Sequence, residues 1–176
     1  QVSDLHAVEL ELAGPVMEAV KASMEAFADS DAVCSAGLRV LAELVRHDEG
    51  NTVAKALQEE GQVIKAMDIL KNDSVNAARV LPALLMLEAC VQDPDVAIAL
   101  ARDGIVNALV NAFRNNNTNS ALQEKTISTL AALSRGLPSC QDFLDAGGIA
   151  AFIEMLQIAN KNGTSSVASK VLDALI

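Results

Sequence analysis

The side chains of this chain that are able to do chemistry are few and scattered. His6 and His47 stand far apart, and neither has a Cys or Ser arrangement beside it that would make a relay or a ligand set. Cys34, Cys90 and Cys140 are widely spaced, with no CxxC and no His at ligand distance, so they read as small buried hydrophobes of a reducing compartment. The carboxylate pairs Asp48-Glu49 and Glu59-Glu60 fall at expected helix ends and loops, where solvated charge is the natural reading. Gly147-Gly148 lacks the Lys-Ser/Thr of a phosphate loop and reads as a turn. No catalytic constellation emerges, and neither a metal nor a cofactor is expected; the chain does not read as an enzyme.

The composition says what kind of scaffold carries these residues. Of 176 residues, 51 % are apolar and only 2 % aromatic, with no Trp or Tyr. Any core is therefore built from Leu, Val, Ile, Met and Ala, which favours close helix packing over strands that need β-branched and aromatic side chains. A net charge of −10 repels a phosphate backbone, so nucleic acid is not an expected partner. Charge, Gly or Pro interrupts every apolar run before the roughly 18 to 20 residues a bilayer requires, so no direct membrane insertion is expected. The chain opens on Gln1 without a cationic stretch and apolar core, and reads as a mature or excised piece. Three N-x-S/T sequons begin at Asn72, Asn116 and Asn162. All lie between expected helices, where Asn, Asp, Ser and Thr serve as turn and cap residues.

One unit repeats. The segments Gly61 to Leu70 (GQVIKAMDIL), Gly104 to Phe113 (GIVNALVNAF) and Gly147 to Leu156 (GGIAAFIEML) align without a gap at a period of 43 residues. Glu18 to Phe27 (EAVKASMEAF) keeps the apolar pattern one period earlier, with Glu in place of Gly. Apolar residues recur at helical spacing in each copy, as in Val63, Met67 and Leu70, or Ile149, Phe152 and Leu156. A short apolar segment precedes each glycine (Val53, Ala56, Leu57; Val96, Ala99, Leu100; Phe143, Leu144), and the glycine permits a sharp left-handed exit. A longer helix comes after each Asn/Asp/Ser-rich loop, with core positions Leu41, Leu84, Ile127 and Leu44, Leu87, Leu130. Leu172 and Leu175 continue these series displaced by two residues, because the loop around Asn160 to Gly163 is longer. The expected organisation is a single array with units at about 8–50, 51–93, 94–136 and 137–176, the last incomplete. At its start, Gly14-Pro15 should interrupt the first unit, a degenerate cap.

The order short helix, Gly, helix, loop, long helix, with the motif Gly-x-apolar-x-Ala-apolar-apolar-acidic-apolar-Leu, resembles the armadillo repeat over essentially the whole chain. The resemblance implies an all-α, right-handed solenoid whose third helices line a concave groove that holds extended peptides or partner helices. The family often carries Trp and, four residues later, Asn on that face. The Trp positions correspond here to Arg39, Pro82, Lys125 and Lys170, and the Asn positions to Glu43, Met86, Thr129 and Ala174. The substitutions argue against a nuclear-localisation-signal receptor. What remains is a mixed groove: Arg39 and Arg46 beside Glu43, then Met86, then Lys125 and Lys170, suited to an acidic or amphipathic protein or peptide.

Pro82 lies inside an expected third helix, where it removes the bond to the Ala78 carbonyl and should bend the helix. The final helix leaves Val171, Leu172 and Leu175 with no following repeat in this sequence to cover them, so either more repeats follow in the full protein or this edge is covered by a partner or a second copy. The sequence thus points to a scaffold or adaptor of the cytoplasm or nucleus that binds partners along the groove. Its alternative is an assembly element that self-associates through exposed repeat edges.

Overall fold

The computed structural model describes residues 2–48 and 51–174, with side chains from residue 13 onward, and it is all-α. The His6 side chain, Glu49, Leu175 and Ile176 lie outside the described residues. After α1 (Val2–Ala26) and α2 (Asp31–His47) come three copies of one three-helix order. They are α3 (Thr52–Glu59), α4 (Gln62–Asn72) and α5 (Ala77–Cys90); α6 (Pro94–Arg102), α7 (Ile105–Asn115) and α8 (Ser120–Gly136); and α9 (Cys140–Asp145), α10 (Gly148–Lys161) and α11 (Ser165–Asp173).

The break between the first two helices of each copy falls on the expected glycine. Gly61, Gly104 and Gly147 have φ of +74°, +84° and +82°, a left-handed conformation that an L side chain adopts only at a cost. Nothing lies near the position a Cβ would take at Gly104, so Gly104→Ala tests the backbone conformation alone. A loss of about 1 to 2 kcal/mol is expected in urea denaturation. The double glycine has two separate causes: Gly147 makes the turn, while Gly148 lies against the Phe143 ring, 2.1 Å from where its Cβ would stand.

The first unit departs from expectation. Gly14-Pro15 does not interrupt it, and α1 runs unbroken through both residues. One proline removes a single ladder bond from a 25-residue helix, and Glu18, standing where later units have glycine, continues the helix instead of turning it. The first unit therefore has two helices rather than three.

The polar loops cap the helices after them. Ser30, Asn76 and Asn119 accept backbone N–H bonds at the starts of α2, α5 and α8, and Asp93 accepts from Asp95 and Val96 at the start of α6, where Pro94 holds the first position. Like helices stack on like: α2, α5, α8 and α11 pack in succession, as do α4, α7 and α10. Leu41, Leu84, Ile127, Leu87 and Leu130 are buried between them, together with Val63, Met67 and Leu70.

Polar ties also cross the junctions between units. Asn116 Nδ2 donates to Ser74 O at 2.6 Å and to Ala112 O at 2.9 Å, joining consecutive loops. Its burial also removes it from the sequon's usual exposed role. Asp31 accepts from Asn76 Nδ2 at 3.1 Å and pairs with Arg79, and these two partners, the Asn76 bond first, hold its carboxyl below its ordinary value. A carboxyl with a lowered folded-state pKa contributes stability above its unfolded pKa, and loses it as pH falls through the folded value. Asp31→Asn should therefore lower the urea midpoint at neutral pH, and the gap to the parent should close at pH values below the ordinary carboxylate range. A gap that persists in acid would place the effect elsewhere.

The cysteines divide. Cys34 and Cys90 are buried, and burial pushes the Cys90 thiol up to about 12. Cys140, at the first position of α9, is exposed, against the expectation that all three are core residues. Cys140 holds the first position of a six-residue helix in which Phe143 is the buried residue.

Candidate partner-binding surface

The third helices α2, α5, α8 and α11 form one continuous face, and a chain of ion pairs runs across it. Arg46 pairs with Glu43 one turn away on α2, and its guanidinium Nη2 lies 3.9 Å from Glu88 Oε2 on α5. Glu88 Oε2 receives Lys125 Nζ of α8 at 2.6 Å, and Glu88 Oε1 receives the Ser128 hydroxyl at 2.5 Å. Lys170 of α11 bonds Glu124 of α8 at 2.5 Å. The bonds of Glu88 and Glu124 join neighbouring third helices, so the charges tie the stack together as well as coating it. With Glu88 and Lys125 only 20 % and 25 % exposed, their pair is screened less than a fully solvated one.

The sequence-derived groove residues separate into two sets. Arg39, Glu43, Arg46, Lys125 and Lys170 reach the surface. Pro82, Met86 and Thr129 do not: all three are buried, Met86 and Thr129 completely. The expectation that Met86 presents itself to a ligand is corrected, because α5 is flanked by α2 and α8 and that side of it is consumed in packing. Thr129 spends its hydroxyl on its own helix, donating to Lys125 O at 2.9 Å. Pro82 sits within a continuous α5 and likewise faces inward rather than into a groove.

The strip of α5 that does reach solvent carries Leu81, Leu85 and Glu88, all half-buried. These residues escape an alignment to Trp and Asn positions. A signal for them exists in the sequence: α5 is almost wholly apolar, and Glu88 interrupts it. Reading back three and seven residues from that charge, along one helical face, reaches Leu85 and Leu81. The cations also differ from expectation, since Lys125, Lys170 and Arg46 each already have a carboxylate. The surface is therefore a shallow apolar strip edged by paired charges, rather than a row of free cations.

Among the described residues no three His, Cys, Asp or Glu side chains converge to hold a metal ion. No single described helix is long and apolar enough to cross a membrane. No family model, curated protein or solved structure matches this chain.

Proposed function

We propose that this chain is an armadillo-like α-solenoid that acts as a protein-binding scaffold or adaptor in the cytoplasm or nucleus, without catalytic activity. The repeated three-helix order, the left-handed glycine at each break and the stacking of like helices support the solenoid reading. The observation that carries the binding reading is the half-exposed Leu81/Leu85 strip on α5, bordered by the Arg46–Glu88–Lys125 ion-pair chain on a face built from successive third helices. An amphipathic peptide or helix lays apolar anchors on such a strip and exchanges ion pairs at its rim. Because the rim cations are already paired, a purely acidic ligand has less to gain there than an amphipathic one.

Capture from a lysate of the source organism, followed by mass spectrometry, tests this reading. The parent is compared with a Lys125→Glu, Lys170→Glu variant whose helicity is checked by circular dichroism. A partner held by the parent and lost by the folded variant supports the third-helix face as the site. A partner held equally by both overturns it.

A further inference from the structure

A cavity of about 300 Å³ opens between α6 and α9, the first helices of two consecutive units. The same junction one unit earlier is closed by charge. There Lys55 of α3 reaches the start of α6, its Nζ 3.0 Å from Asp95 Oδ2 and 3.6 Å from Asp93 Oδ2. One period on, Ile98 stands in the place of Lys55, Gly136 in that of Asp93 and Pro138 in that of Asp95, so this ionic clamp cannot form. The helix is also shorter: α6 begins at Pro94, whose counterpart is Leu137, whereas α9 begins only at Cys140. The gap left by the missing clamp and the missing turn is walled by Ile98, Leu137 and Pro138.

Charged groups line the same cavity from both helices. Arg102, in the last turn of α6, has no hydrogen-bond or ion-pair partner among the described residues. Asp142 and Asp145 come from α9, and each commits one oxygen nearby. Asp142 Oδ2 accepts from the Ser139 hydroxyl at 2.6 Å, and Asp145 Oδ1 accepts from Gln141 Nε2 at 2.7 Å. Their other oxygens have no partner among the described residues. Apolar walls with a few polar groups aimed inward are the usual make-up of a small-ligand site. An occupant with one charge would satisfy one side and oppose the other, whereas an occupant with both charges satisfies the two sides at once.

We propose that the cavity between α6 and α9 binds a small zwitterion with an apolar side chain, the chemistry of a free aliphatic α-amino acid. Its carboxylate accepts from the Arg102 guanidinium, its ammonium donates to the free oxygens of Asp142 and Asp145, and its side chain lies against Ile98, Leu137 and Pro138. The site is built from first helices, away from the third-helix face. It goes beyond the partner-binding reading and does not depend on it.

Isothermal titration calorimetry with L-leucine as the probe tests the proposal, beside N-acetyl-L-leucine, which has no ammonium, and L-leucinamide, which has no carboxylate. Leucine should bind saturably, and each analogue about tenfold more weakly or worse, the loss expected when a charged hydrogen bond is removed. Arg102→Gln, at an exposed position, should weaken leucine to the level of leucinamide on the parent. Ile98→Lys, which restores the residue of the earlier junction, should fill the cavity and abolish binding in a variant shown to be folded by circular dichroism. A parent that takes up no leucine up to the solubility limit of the ligand overturns the proposal. So does an analogue that binds as well as leucine, or leucine binding that either folded variant leaves undiminished.

Discussion

Gly136→Ala is expected to destabilise the fold by about 3 kcal/mol, the upper end of the usual range for overpacking a close contact. The last turn of α8 lies against the corner between α5 and α6. A Cβ at position 136 would stand 1.8 Å from the Val91 carbonyl oxygen and 3.3 Å from Ala97 Cβ. Val91 O belongs to the backbone and cannot rotate away, so relief requires α8 to shift relative to α5. The helical preference for Ala over Gly returns only about 1 kcal/mol, too little to offset the clash. Urea denaturation followed by far-UV circular dichroism checks this, with Gly104→Ala as the reference for a glycine that has open space. The steric substitution should cost more than the conformational one. A loss below about 1 kcal/mol would show that the junction between the second and third units yields freely.

Met86→Ala separates the groove expected from the sequence from the packing found in the structure. Met86 is fully buried, so truncation leaves a cavity and should cost about 3 kcal/mol, within the range for large-to-small core changes. Arg39→Ala, at an exposed position, should change stability by no more than about 0.5 kcal/mol. Paired denaturation curves for these two variants decide the matter. Were Met86 a groove residue, its truncation would barely move the midpoint and would instead diminish partner capture. For the same reason Met86→Arg is unsuitable for mapping a binding surface: it buries a charge, and loss of binding would then report unfolding.

The difference between those two residues explains why the exposed side of the third helices was only partly legible. Arg39 and Met86 both come from alignment to one groove face, yet one is exposed and the other is not. Alignment assigns a position along a helix, while exposure depends on how that helix is turned about its axis and what lies on either side. α5 has third helices on both flanks; α2 has one on a single flank. Glu88, which joins three helices through Arg46, Lys125 and Ser128, was missed for a related reason. Its partners are far from it along the chain, and only the stacking of units brings them together.

The repeat period, the helix order, the glycine breaks and the polar caps were determined by the sequence alone. Each is a local matter: a left-handed φ that favours glycine, a side-chain oxygen that satisfies a free backbone N–H, an apolar stripe at helical spacing. Tertiary structure alone decided that Pro82, Met86 and Thr129 turn inward and that Glu88 meets Arg46, Lys125 and Ser128. It also decided that Gly136 must lack a side chain. These outcomes depend on the close approach of units that are distant in sequence. There the free energy of burying an entire helix face outweighs the preference of any one residue.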